Sequence, residues 1–369
     1  MAAILDDHKL FRQMSPSGSG AASGAMPNQA DLLRIGLVNN MPDSAVLRTE
    51  QQFTHLLQSS ANDVCVEVVL YALPTVPRLG SVRAHIEATY EPIEALCNDT
   101  LDGIVVTGTE PLERDLRDEA FWGALAGLVD WIDDRGLPAM FSCLAAHAAV
   151  LHADGVPRTR LANKCFGVFE EDVARHHVLM EGTDARMWMP HTRWNQVTEA
   201  DLRKAGYDIL SRSGDAGVGY FARHRNGLWL LCQGHPEYDG ANLLREYRRD
   251  VARFLQQQRA TYPELPRSYF GEHHTTALHA FRQEALAHGN ASFMASFPRI
   301  LHGSPTWDAW QSGATSVFGN WLKYAAAAKP SRDAGRSRLQ PGQPDTDGPD
   351  EFTAQHVPEP APMGDAWGS

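Results

Sequence analysis

Four short apolar runs, each bounded by turn-forming residues, constrain this chain more than any other feature. They are RIGLVNN (34–40), DVCVEVVLYAL (63–73), DGIVVTG (102–108) and LPAMFSC (137–143). Runs that are apolar at nearly every position have no face to offer water, so they read as strands covered on both sides. Helical spacing separates them. Leu47, Phe53, Leu56 and Leu57 recur on one face of a segment from Ser44 to Leu57, and a second helix is predicted near 81–98. DEAFWGALAGLVDWIDD (118–134) has a helical apolar period with acidic residues in its first turn, and LAAHAAVLHADG (144–155) reads as a helix closed by Gly155. The alternation predicts an α/β fold built on an open, mostly parallel sheet with helices on both faces.

The second half reads differently. Shorter strands are predicted across 165–232, in CFGVFEED, RMWMPHTR, DILSRS and GVGYFARHRNGLWLLCQG, and Asn226-Gly227 marks a hairpin turn. A helix from about Gly240 to Gln258 follows. The ends differ in composition. Residues 1–30 contain SPSGSGAASGAMPNQ and read as a flexible lead, whereas 329–369 is dominated by proline, glycine and charge and reads as a disordered tail. One folded unit is expected over 31–328, with a core at 34–258 and a helical extension at 259–328.

Charge narrows the partners. Lys and Arg number 33 against 45 Asp and Glu, a formal net charge of −12, and no long basic run occurs. Nucleic acid and anionic membranes are therefore not expected partners. The five cysteines (Cys65, Cys97, Cys143, Cys165 and Cys232) form no CxxC pair. The pairs His176-His177 and His273-His274 have no third donor at ligand spacing, so no metal is expected. The start, MAAILDDHKLFRQ, lacks the basic and long apolar regions of a secretory signal, and no stretch of about 18 apolar residues could span a bilayer. Free thiols in a reducing cytoplasm are the expectation.

The fourth apolar run ends at Ser142-Cys143 and passes at once into a helix of small residues. A side chain at that corner sits at the carboxyl edge of the sheet, where α/β folds bind ligands. It also sits at a helix N-terminus, whose free N–H groups favour a thiolate. The first of those groups, on Leu144, is an oxyanion donor candidate. A free cysteine is equally at home as a small buried hydrophobe, and the corner alone does not decide between the two. Cys65 and Cys232 lie inside apolar strand runs and are expected to be core residues.

A thiol nucleophile needs a base, and the base needs an orienting group. Among 16 histidines, His235 stands out, in Leu230-Leu231-Cys232-Gln233-Gly234-His235-Pro236-Glu237-Tyr238. It ends a second apolar strand, at the sheet edge where Cys143 is expected. Glu237, two residues on, falls on the same side of an extended stretch. Cys143, His235 and Glu237 thus form a candidate nucleophile, base and carboxylate.

With these residues in place, the chain resembles the homoserine O-acyltransferase family, which includes the homoserine O-succinyltransferases. The resemblance runs from about 34 to 324. Its pieces are Asn40-Met41-Pro42, Thr49-Glu50-Gln51-Gln52-Phe53, Asp102 to Gly108, Phe141-Ser142-Cys143, Lys164, Pro190-His191-Thr192-Arg193, Gly234 to Asp239, Arg248-Arg249-Asp250 and Asn320-Trp321-Leu322. It implies a flavodoxin-like, class I glutamine amidotransferase-like fold and a ping-pong reaction without a resident cofactor. In that reaction a cysteine takes an acyl group from acyl-CoA and passes it to the hydroxyl of L-homoserine, in methionine biosynthesis. By resemblance Cys143 is the nucleophile, His235 the base and Glu237 its partner, while Lys164, Thr192 and Arg249 bind substrate.

The chain also departs from the family. Thr192 stands where serine is frequent. The loop after Met41-Pro42 is longer and less basic than usual. Thr109 to Arg114 matches neither usual form of the loop that selects the acyl group, which places Leu112 and Glu113 at the point of choice. A carboxylate facing the acyl pocket would repel a succinyl chain, and a cation such as Arg114 would welcome it. The alternatives are acetyl transfer, serine as acceptor, a glutamine amidotransferase-like hydrolase, and a binding protein that kept the fold. The oligomeric state stays open between monomer and homodimer.

Overall fold

The computed structural model describes residues 32–62, 64–300 and 308–338. The expected lead at 1–30 lies outside the described residues. Along the chain, β1 (Leu32–Val38), α1 (Val46–Ser59), β2 (Cys65–Tyr71), α2 (Gly80–Thr89), β3 (Gly103–Val106), α3 (Trp122–Asp134), β4 (Ala139–Ser142) and α4 (Leu144–Asp154) come first. Then follow β5 (Thr159–Val173), β6 (Arg186–Gln196), α5 (Glu199–Lys204), β7 (Asp208–Ile209), β8 (Ser211–Ser213), β9 (Gly217–Val218), β10 (Tyr220–His224) and β11 (Leu228–Cys232). The chain continues through α6 (Asn242–Leu255), α7 (Glu272–His288) and α8 (Gln311–Arg338).

Seven strands pair in the order β2-β1-β3-β4-β11-β10-β7. The five from β2 to β11 are parallel, and β10 and β7 add an antiparallel edge. Alternation along each strand sends side chains to two faces. On one face Ile104, Val106, Phe141, Trp229 and Leu231 pack with α3 and α4. On the other, Leu37, Val105, Met140, Leu230 and Cys232 pack with Phe53 of α1 and with Phe318, Trp321 and Leu322 of α8. The mixed α/β fold, with its mostly parallel sheet between helices, is the one the apolar runs predict. A second, antiparallel sheet, β6-β5-β8-β9, supports a third apolar cluster with α6, α7 and Trp310.

Several local expectations are corrected. The helix expected at 81–98 stops at Thr89, and a 3-10 turn at Ile93–Cys97 follows Pro92. Proline disfavours helical backbone in the residue before it, which divides the segment. The helix expected from 118 begins at Trp122, because Asp115 caps a separate 3-10 turn by accepting from the Arg117 amide at 3.0 Å. Cys65 is exposed at the head of edge strand β2 rather than buried. The tail expected from 329 is helical up to Arg338, as the end of α8, and residues 339–369 lie outside the described ones.

Candidate active site

Register brings the two key strand ends together. β4 pairs with β11 so that Ser142 lies opposite Cys232, and the Cys143 amide donates to the Cys232 carbonyl at 2.8 Å. Cys143 itself has φ 50° and ψ −109°, a conformation that L residues avoid and that turns the chain from β4 into α4 within one residue. Ser142 and Leu144 on either side are buried, while Cys143 is partly exposed. The first N–H groups of α4 have no intrahelical acceptor. Gly108, just past β3, lies against them: a Cβ there would come within 3.0 Å of the Leu144 nitrogen and 2.9 Å of its Cβ. A glycine therefore keeps the Leu144 amide open. Sequence reading selected Leu144 but not the glycine that clears it.

β11 delivers the base. Beyond it, the buried amide of Gln233 locks the strand end. Its Oε1 accepts from the Val197 amide at 2.7 Å and its Nε2 donates to the Val218 carbonyl at 2.9 Å. His147 Nε2 also reaches Gln233 Oε1, at 3.0 Å, so this histidine serves the frame; burial lowers its pKa to about 3. The His235 amide donates to the Pro190 carbonyl at 2.8 Å, which pins the His235 loop to β6. His235 and Glu237 do meet, with Nδ1 and Oε1 2.8 Å apart. The backbone between them is a turn, in which the Tyr238 amide donates to the His235 carbonyl at 3.2 Å, rather than the expected extended stretch.

A carboxylate on Nδ1 keeps the proton there and leaves Nε2 as the reactive nitrogen. His235 Nε2 is buried with no hydrogen-bond partner of ordinary geometry. Burial alone would disfavour charge on His235, but Glu237 and the neighbouring Cys143 outweigh it and raise its pKa well above the usual histidine range. The Tyr238 ring stacks on the imidazole at 4.4 Å and 19°. Thiol, imidazole and carboxylate thus stand in the order that nucleophilic acyl transfer requires.

The three expected substrate residues also converge, on Asp250 of the Arg248-Arg249-Asp250 piece and on Glu246, which sequence reading missed. α6 buries Leu243, Tyr247, Val251 and Leu255, and beside that stripe it carries the buried Asp250 together with Glu246, Arg249 and Arg253 at helical spacing. Glu246 Oε2 accepts from Thr192 Oγ1 at 2.5 Å, and its Oε1 accepts from Tyr238 at 2.6 Å. Lys164, set where the register of β5 against β6 shifts, lies 3.1 Å from Asp250 and 3.7 Å from Glu246. Arg249 lies 3.2 Å from Asp250 and 3.9 Å from Glu246. Glu246 thereby joins the Lys164–Thr192–Arg249 group to the ring stacked on His235. The only sequence signal for it was its spacing of three from Arg249.

The loop after Gly108 lines the other side. Leu112 is 71% exposed, so its side chain anchors nothing, and Glu113 is exposed as well. Their backbone amides both donate to Glu119 Oε1, at 2.7 and 2.8 Å. At the near end of the loop, Glu110 lies 3.7 Å from Arg253 of α6. Among the described residues, no group of three or more His, Cys, Asp or Glu is placed to hold a metal, and no helix is long and apolar enough to cross a membrane.

The chain has relatives among known proteins. A family model described as HTS, homoserine O-succinyltransferase, matches residues 19–331. A homoserine O-succinyltransferase of Methylorubrum extorquens is 46% identical over 79% of this chain and 86% of its own length. One of Bradyrhizobium japonicum is 42% identical over 88% of this chain and 99% of its own. Among solved structures, a glutamine amido transferase from Methylobacillus flagellatus superposes with a TM-score of 0.44 at 13% identity, covering 79% of this chain and 94% of that one.

Proposed function

The chain belongs to the homoserine O-succinyltransferase family, and on that premise we propose that it moves a succinyl group from succinyl-CoA to the hydroxyl of L-homoserine through a thioester on Cys143. The Cys143 sulfur attacks the thioester carbonyl, with the Leu144 amide facing the developing oxyanion beside Gly108. The tetrahedral intermediate expels the CoA thiolate, which takes its proton from His235. L-homoserine then enters, and His235 Nε2 removes its hydroxyl proton as the oxygen attacks the acyl-enzyme. The second tetrahedral intermediate expels the Cys143 thiolate. Glu237 holds the imidazole by Nδ1 in both halves. The scheme uses no resident cofactor, and a cytoplasmic setting, where acyl-CoA is made and used, fits it.

The substrate amino acid carries one carboxylate and one ammonium. Glu246 and Asp250 suit the ammonium, while Lys164 and Arg249 suit the carboxylate. Thr192 and Tyr238, both bound to Glu246, fix that carboxylate beside His235. The observation that carries the reading is the His235 geometry: Nδ1 is taken by Glu237 at 2.8 Å, which leaves Nε2 for the neighbouring Cys143.

The test is intact mass after mixing the protein with succinyl-CoA or acetyl-CoA and no acceptor. A gain of one succinyl group, absent in Cys143→Ser and discharged by homoserine, is the expected result. Labelling by acetyl-CoA alone would move the assignment to acetyl transfer. Hydrolysis of glutamine without labelling by either ester would overturn acyl transfer altogether.

A further inference from the structure

One cation near the elbow is left over from this scheme. Arg158 follows α4 and is half-buried. One terminal nitrogen donates to the carbonyls of Glu113 and Arg114, both at 3.1 Å. Its Nε is buried and has no partner among the described residues. Burial lowers the pKa of Arg158, and Glu119 and Cys143 act against that, which puts the guanidinium within electrostatic reach of the nucleophile. The loop it grips starts at Gly108, against the elbow. Glu119 holds the amides of that loop and Arg158 holds the carbonyls.

We propose that Arg158 selects the charged acyl chain, receiving the free carboxylate of the succinyl group carried on Cys143 while it and Glu119 hold Leu112–Arg114 as the wall of the acyl pocket. This rests on the acyl-transfer reading above. An arginine already bonded through one nitrogen, with its Nε unmet, is preorganised to bind a second acceptor. A guanidinium partly withdrawn from water attracts a carboxylate more strongly than an exposed one does. Arg114, a cation of the same loop that could in principle welcome a succinyl chain, is exposed. An acetyl group has no carboxylate to offer, so the same residue leaves acetyl transfer without help.

The test compares the acylation half-reaction of wild type, Arg158→Met and Arg158→Lys with succinyl-CoA, acetyl-CoA and butyryl-CoA, read as the rate of CoA release and as intact mass. Arg158→Met is expected to lose roughly 10- to 100-fold in kcat/KM with succinyl-CoA, the worth of a charge-assisted hydrogen bond. Its losses with the two uncharged esters, which report the loop-holding share and that the variant folds, should be clearly smaller than with succinyl-CoA. Arg158→Lys should recover part of the succinyl rate. Equal losses with all three esters would reduce Arg158 to a support for the loop and overturn the selection role. An unchanged succinyl rate would overturn it too. A wild-type protein that takes no acyl group from any ester would bring down the acyl-transfer reading itself and this inference with it, whereas labelled wild type with unaltered selectivity in Arg158→Met removes the inference alone.

Discussion

The Cys143 amide nitrogen lies 2.8 Å from the Cys232 carbonyl oxygen, so the Cys143 corner hangs from the strand that leads to His235. Three residues past Cys232 the chain places His235. Sheet register sets the two strand ends side by side, and the hydrogen bond from the His235 amide to the Pro190 carbonyl holds the loop beyond β11. That pairing also holds Cys143 at φ 50°.

Comparing two inactive variants exposes that strain. Cys143→Gly and Cys143→Ala both remove the thiol, but only glycine is comfortable at this φ and ψ. The glycine variant is expected to be the more stable by about 1 kcal/mol, after allowing for the greater freedom of glycine in the unfolded chain. Urea midpoints measure it, and an alanine variant of equal or greater stability would show the corner to be relaxed.

Glu237→Gln keeps an acceptor near His235 Nδ1 but removes the charge. Acylation is expected to slow by roughly 100-fold or more. Because Glu237 helps raise the His235 pKa, the limb of the pH–rate profile that belongs to His235 should move to lower pH in this variant. A limb that stays in place would assign the shift to Cys143 alone.

Glu246→Gln separates the two half-reactions. One of Thr192 and Tyr238 keeps an acceptor oxygen, the other hydroxyl must turn to accept from the new amide N–H, and an incoming ammonium loses its carboxylate. Acylation by succinyl-CoA should be nearly unaltered, while kcat/KM for homoserine falls by roughly 10- to 100-fold. Slowed acylation with normal homoserine dependence would place Glu246 in the chemistry of the donor instead.

Gly108→Ala sets a methyl about 3.0 Å from the Leu144 nitrogen. The expected result is a loss of about 100-fold in kcat for acylation, with KM for the CoA ester little altered, as for a blocked oxyanion donor. A wild-type rate would exclude the Leu144 amide from that role.

Acid should destabilise the protein through His147. Its pKa falls from 6.5 to about 3 in the folded state, so between those values the unfolded chain binds more protons than the folded one. Stability therefore rises with pH across that window and is lost on acidification from 6.5 towards 3. Burial lowers the pKa of His191 as well, with the same sign. Urea midpoints at pH 7 and pH 5 should differ less in His147→Gln than in wild type, and an equal difference would move the effect elsewhere.

The parallel sheet and the meeting of Cys143 and His235 at its edge were legible because unbroken apolar runs have few other fates, and because both residues end such runs. The resemblance added Lys164, Thr192 and Arg249, which the fold gathers around α6. Glu246 and Glu119 were not legible. Each is a carboxylate on a charged surface pattern, and only tertiary contacts separate it from solvated neighbours such as Glu113. Glu119 was read as the first turn of a helix, yet it is buried and turned back to the amides of Leu112 and Glu113. Cys65 misled in the opposite sense: its run is apolar, but it heads a strand at the open edge of the sheet.

α8 has one more consequence, for synthesis. Phe318 and Trp321 are fully buried against the face formed by β1, β3 and β4, and a Cβ at Gly103 of β3 would come within 3.0 Å of the Trp321 ring. Lys329 reaches back to the Leu32 carbonyl at 2.9 Å. A ribosome makes β1 and α1 well before α8, so until α8 has left the exit tunnel that face of the strands is covered by α1 alone and part of its apolar surface is open to aggregation.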